Sequence, residues 1–203
     1  MTILILASFL AGTLWGYGDL IISKSPYVPL ITQSALGLLL FTVGFDFAKG
    51  GELKEQVKGL PKIVLAVPFL TALGSLLFAG LLSPILKLSV GDGILASSGF
   101  GWYSLSAVVV SQTYDLKIGT LTLLTNVFRE VLAILVIPFV AKRFGFIPAV
   151  APGGATSLNV TLPMISRSTD GQTTLIAIYS GSLVSAMVPF LVPLLIQLIK
   201  FLA

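Results

Sequence analysis

Apolar residues along this chain gather into seven runs, set apart by short joints rich in charge, glycine or proline. They cover about Thr2–Ile22, Pro29–Ala48, Lys62–Leu82, Asp92–Gln112, Ile118–Val140, Pro152–Ser166 and Thr173–Leu198. Most approach ~20 residues, which at ~1.5 Å per residue is the helix length that crosses a hydrocarbon core about 30 Å thick. Within each run the apolar positions are continuous and do not alternate, which fits helices and argues against barrel strands. The pattern predicts an all-α polytopic membrane protein with about seven membrane segments.

The fourth and sixth runs differ from the rest. The fourth carries Gly99-Phe100-Gly101-Trp102-Tyr103-Ser104-Leu105-Ser106, and the sixth Gly153-Gly154-Ala155-Thr156-Ser157-Leu158-Asn159-Val160-Thr161-Leu162-Pro163. Each precedes a long apolar run, so residues 91–141 and 150–200 form a weak internal repeat. Glycine- or proline-interrupted segments at corresponding places in two halves point to the binding site of a transporter. A helix break frees backbone N–H and C=O groups that lipid cannot satisfy, so the break must face protein or a polar cavity. Both segments are therefore expected to be discontinuous. The chain would then divide into a three-helix N-terminal unit, 1–90, and a core transport unit, 91–203. The plainer readings are close packing through small residues with an aromatic interface belt for the fourth run, and an extramembrane loop for the sixth.

Charge changes the picture at one place. Arg129 and Glu130 lie in the middle of the fifth run, where a charged side chain costs at least ~2.5–3.5 kcal/mol. Such a group is expected to face the protein interior and to bind a cation or a proton. Asn126 and Thr122, at successive spacings of four, extend a polar stripe from Glu130. Neighbouring helix positions point about 100° apart, so Arg129 is expected to serve another helix or a substrate carboxylate instead of bridging to Glu130. Asp46, in Gly44-Phe45-Asp46-Phe47, is a further acid for gating or proton relay, or an interfacial residue beside Lys49. The expected substrate and proton site comprises Glu130, Asn126, Arg129 and Asp46. To these are added Gly99, Gly101, Trp102, Tyr103, Ser104 and Ser106 from the fourth run, and Thr156, Ser157, Asn159 and Thr161 from the sixth.

Composition sets the outer bounds. Of 203 residues 56% are hydrophobic and 10% charged, against about 25% charged in soluble domains. The chain has no cysteine and no histidine, which removes thiolate chemistry, the commonest metal ligand and the commonest general base. No enzyme activity, metal or cofactor is expected. The net charge of +4 bears on topology and gives no sign of nucleic-acid binding. Counting Lys and Arg over seven crossings gives six on the side of the Lys49–Lys62 loop and five on the other. With the fourth and sixth runs re-entrant the ratio becomes seven to four. Either way that loop and the N-terminus are expected in the cytoplasm. The first run lacks a basic start and reads as a retained helix, not a signal peptide. Gly16-Tyr17-Gly18-Asp19 matches the GxGD pattern of intramembrane aspartyl proteases, and Tyr114-Asp115 echoes their second motif. Both sit at run ends and in reversed order, so that reading is set aside.

Together, the Gly99–Ser106 motif, the Arg129-Glu130 pair and the Gly154–Pro163 motif resemble the lysine exporter family LysO, from the Leu40–Gly44 region to the C-terminus. The resemblance implies an inner-membrane, multi-pass exporter of L-lysine, and of the toxic analogue thialysine, with proton antiport. It also implies a relation to the inverted-repeat folds of cation/proton antiporters, with crossed broken helices. Glu130 corresponds to the family's membrane-embedded acid, while Asn159 stands where some relatives have Asp and Asp46 where some have a neutral residue. Familiar members are longer by extra N-terminal helices, which implies a homodimer or a separate partner subunit. Two alternatives stay open: a transporter of another cation or organic solute such as sodium, and a non-transporting subunit of a larger assembly.

Overall fold

A computed structural model of the chain describes residues 62–202, and before them the helical positions Ser34 and Leu38. Two compact units are present, Met1–Ala48 and Lys49–Ala203. The described part of the second is entirely helical: α1 (Val67–Leu82), α2 (Val90–Ser97), α3 (Tyr103–Thr113), α4 (Leu116–Phe144), α5 (Leu162–Ser168) and α6 (Gly171–Leu202). Short 3-10 turns precede and follow α1, and two more, Ile147–Val150 and Gly154–Leu158, lie between α4 and α5.

Among the described residues three stretches are long and apolar enough to cross a membrane: Val64–Leu86, Leu116–Phe144 and Gly171–Leu202, with mean hydropathies of 2.1, 1.9 and 2.2. They correspond to the third, fifth and seventh apolar runs, each extended by a few residues. The extensions have local causes. Asp115 caps α4 by accepting from the N–H groups of Lys117 and Ile118, and Lys142 and Arg143 complement its C-terminal dipole. Asp170 accepts from the N–H of Thr173 at the start of α6. The outward faces are apolar, with Leu70, Phe78, Phe128, Leu135, Phe139 and Phe190 all more than 60% exposed. Such an exterior suits lipid and would be costly in water.

The fourth run is α2 and α3 separated by a turn at 98–102. The sixth is two tight turns followed by the two-turn α5. Both are discontinuous, as their glycines imply. Each leads into a long helix, α4 or α6. The core joins the parts: Ala133 and Ile137 of α4, Ile165 of α5, and Ile176 and Ala177 of α6 pack with Val64 and Val150. A close approach of α3 to α4 depends on Gly119, where a Cβ would stand 1.9 Å from Ser111 Oγ.

Candidate functional site

The first break begins where α2 meets two residues with positive φ, Phe100 at +50° and Gly101 at +106°. The helical ladder stops there, leaving the Ala96 carbonyl and the Gly101 N–H without helical partners. One side chain takes both. Asn126 Oδ1 accepts from the Gly101 N–H at 2.7 Å, and Nδ2 donates to the Ala96 carbonyl at 3.0 Å and the Thr122 carbonyl at 2.8 Å. Asn126 and Thr122 are fully buried. Beyond the turn, the Ser106 hydroxyl donates to the Trp102 carbonyl at 2.9 Å.

The second break is longer and satisfies itself locally. Thr156 donates its hydroxyl to the Gly153 carbonyl at 2.8 Å. Ser157 Oγ lies 2.8 Å from the Gly154 carbonyl and 2.9 Å from the Ala177 carbonyl of α6. Thr156 Oγ1 also reaches Thr161 Oγ1 at 3.3 Å. All three side chains are buried.

The two breaks touch. The Ala155 N–H donates to the Phe100 carbonyl at 2.8 Å, so backbone meets backbone at the crossing. Gly154 makes the approach feasible: its φ is +56°, and a Cβ there would stand 2.5 Å from the Phe100 oxygen. A Cβ on Gly101 would likewise meet Thr156 Cγ2 at 2.9 Å. Among the described residues no buried side-chain nitrogen or oxygen lacks a partner.

Helix α4 presents its polar residues to this crossing. Glu130 stands fourteen residues from each end of α4, ~21 Å at the helical rise. It is the one acid inside the three apolar spans. The stripe drifts, however: each step of four advances about 40° around the helix. Thr122 and Asn126 therefore face the break, while half-buried Glu130 lies on the shoulder of the buried face. Arg129, seven residues after Thr122, returns to that face from the other side. Its Nη1 donates to Ser75 Oγ of α1 at 2.9 Å, and its Nε and Nη2 reach the Pro152 and Ala151 carbonyls at 3.4 Å each. Arg129 thus engages another helix and the second break, and none of its three partners is Glu130.

The structure brings Gly99, Gly101, Ser106, Asn126, Arg129, Thr156, Ser157 and Thr161 together; Glu130 follows Arg129 in α4 and is half-buried on the shoulder of that helix. Trp102 and Tyr103 are half-buried at the start of α3, and Ser104 is exposed. Asn159 is also exposed, its Oδ1 accepting from the Val160 N–H at 2.6 Å. Asp46 lies outside the described residues. Ser75 was not foreseen; its only sign in the sequence is the small pair Gly74-Ser75 inside a run of large apolar residues. Asp115, part of the protease-like echo, caps α4, and Tyr114 donates to Asp92 at 2.9 Å. Both act structurally.

Such a junction has a guanidinium engaged with a hydroxyl and two backbone carbonyls, and backbone that no continuous helix constrains. It suits binding of a charged solute better than covalent chemistry. Comparison with known proteins decides the family. The family model described as lysine exporter LysO matches residues 6–196. The chain belongs to the lysine exporter LysO family. A LysO relative, the lysine exporter LysO of Escherichia coli (strain K12), is 33% identical over 163 residues, covering 79% of this chain and 53% of that protein. A protein of Haemophilus influenzae (strain ATCC 51907 / DSM 11121 / KW20 / Rd), provisionally named as a lysine exporter, is 32% identical over 154 residues, covering 75% of this chain and 77% of its own length. The chain thus spans about half the length of the E. coli LysO protein it matches. No solved structure matches it.

Proposed function

We propose that this chain is a secondary transporter that moves L-lysine out of the cytoplasm in exchange for protons, through a site at the crossing of the two breaks. The observation that carries the reading is the position of Glu130: one acid at the middle of a helix long and apolar enough to span a membrane, next in the chain to Arg129, which reaches the second break, in a chain of the LysO family. In this reading the Glu130 carboxylate holds the lysine side-chain ammonium. A proton and an ammonium cannot both occupy that carboxylate, so competition between them is the simplest coupling device. Asn126 has both its amide hydrogens and its oxygen committed to backbone groups, which suits it to hold the first break in shape rather than to bind cargo.

The same reading carries the finer expectations. Thialysine, which keeps the charges of lysine, is a second cargo. The protein sits in the inner membrane with its N-terminus in the cytoplasm, and about seven segments arranged as in cation/proton antiporters surround the site. Residues 91–203 form the core transport unit, and the working species is a homodimer or a complex with a partner subunit.

The test is efflux of labelled lysine from proteoliposomes holding this chain alone, with and without an imposed pH gradient. The expected result is gradient-driven efflux that Glu130→Gln abolishes. Full proton-coupled efflux by Glu130→Gln would refute the role of Glu130. Gradient-driven movement of sodium in place of lysine would favour the alternative cargo. Activity only after adding a second membrane protein would favour a partner subunit.

A further inference from the structure

We propose that Arg129 is the group that recognises the α-carboxylate of the cargo, and that it does so by giving up the second break. This rests on the reading of the crossing as an amino-acid site. A guanidinium binds a carboxylate best through two parallel N–H groups, and its Nε and Nη2 edge is one such pair. In Arg129 that edge points at two backbone carbonyls, Pro152 and Ala151, at 3.4 Å each. Good N–H···O bonds run about 2.7–3.2 Å, so these are long and weak. The third contact, Nη1 to Ser75 Oγ at 2.9 Å, is of normal length and holds the side chain by its other end. The guanidinium is thus anchored at one corner and loosely held along its carboxylate-binding edge.

Arg129 also borders a mostly apolar groove of about 700 Å³, walled by Leu124, Phe128 and Leu132 of the outward face of α4 together with Thr125 and Pro152. Gly154 keeps the inner approach clear, because a Cβ there would stand 2.9 Å from Nη2. Replacing two long contacts to uncharged carbonyls by a bidentate pair to a carboxylate favours the exchange once a carboxylate arrives. The exchange frees the Ala151 and Pro152 carbonyls, and with them the segment whose Ala155 N–H is tied to the first break. Cargo binding is thereby coupled to movement of the second break relative to the first.

The test is ligand-induced thermal stabilisation of the purified, detergent-solubilised chain. The probes are lysine, cadaverine (lysine without its carboxylate) and norleucine (lysine without its side-chain ammonium). Lysine and norleucine are expected to stabilise the native chain and cadaverine to do so at least tenfold more weakly. Arg129→Lys, which keeps the charge but loses the fork, is expected to lower lysine and norleucine affinity by about 10-fold or more, as for loss of one charged hydrogen bond, and to leave cadaverine unchanged. Ser75→Ala, which releases only the anchored corner, is expected to weaken lysine a few-fold and to keep the preference. Equal stabilisation by lysine and cadaverine, or an undiminished preference in a folded Arg129→Lys protein, would overturn the proposal; so would no stabilisation by either carboxylate-bearing probe. Arg129-dependent norleucine binding without lysine efflux would sink lysine export and leave the role of Arg129 standing.

Discussion

The two broken segments solve one physical problem in different ways. At 98–102 the break is short, lies between two α-helices, and gives its stranded backbone groups to one buried side chain from a neighbouring helix, Asn126. At 151–161 the break is long and holds itself with its own hydroxyls, while Arg129 touches its carbonyls at 3.4 Å. A break pinned through one amide by two good bonds has a single geometry. A break stabilised by several small local bonds and two weak ones can shift at smaller cost. The first therefore serves as the fixed wall of the crossing, and the second as the part able to move.

The sharpest way to break this contrast is Asn126→Leu, which keeps the volume and removes the amide. The Gly101 N–H and the Ala96 carbonyl would each lose their partner, at about 1–3 kcal/mol apiece for buried groups. We expect a loss of roughly 2–6 kcal/mol, read as a fall in the unfolding midpoint in detergent; a loss under about 1 kcal/mol would mean that the first break is not pinned there. Gly154→Ala comes next. A left-handed backbone costs a non-glycine residue about 1–2 kcal/mol, and the new Cβ would press on the Phe100 oxygen. The crossing itself should open, seen as faster hydrogen exchange of the Ala155 amide. An unchanged exchange rate would show that the breaks need no such close contact. Smaller again is Thr156→Val, which removes one hydroxyl among several in the second break. About 0.5–1.5 kcal/mol is expected, measured in the same melt. If it matched Asn126→Leu, the second break would be as dependent on one residue as the first, and the contrast would fail.

Much of this was legible in the sequence because bilayer thickness and backbone satisfaction act on the chain directly. Long apolar runs pointed to spanning helices, and Gly99-Phe100-Gly101 and Gly153-Gly154 pointed to interruptions of them. The meeting of the breaks was not legible, since it depends on one interchain-like contact, Ala155 to Phe100, that leaves no mark on residue type. Counting by four also made the stripe look straight. Thr122 and Asn126 do face the crossing, but the 40° drift carries Glu130 to the shoulder and brings Arg129 in, as counting by seven from Thr122 would have shown. Ser75 was hidden for a different reason: a serine that anchors a guanidinium looks like any small residue packed in a membrane helix.

The smallest expected effect tests whether the second break can be loosened alone. Ser157 ties that break to the Ala177 carbonyl of α6, and the first turn of α6 is held by Asp170 at its N-terminus. The Thr173 hydroxyl and then its backbone N–H hold the Asp170 carboxyl below its usual value of 3.8. A carboxyl whose folded pKa is depressed stabilises the fold above its unfolded pKa, and that contribution is lost as pH falls through the lower, folded value. Acidification below pH 3.8 should therefore fray the start of α6, and Asp170→Asn should mimic part of this at neutral pH by removing the charge from the helix N-terminus. Because α2 and α3 do not depend on this cap, amide exchange should rise at 155–161 and stay unchanged at 98–102. Equal increases at both breaks would show that the crossing loosens as one body, and that the division into a fixed wall and a movable one does not hold.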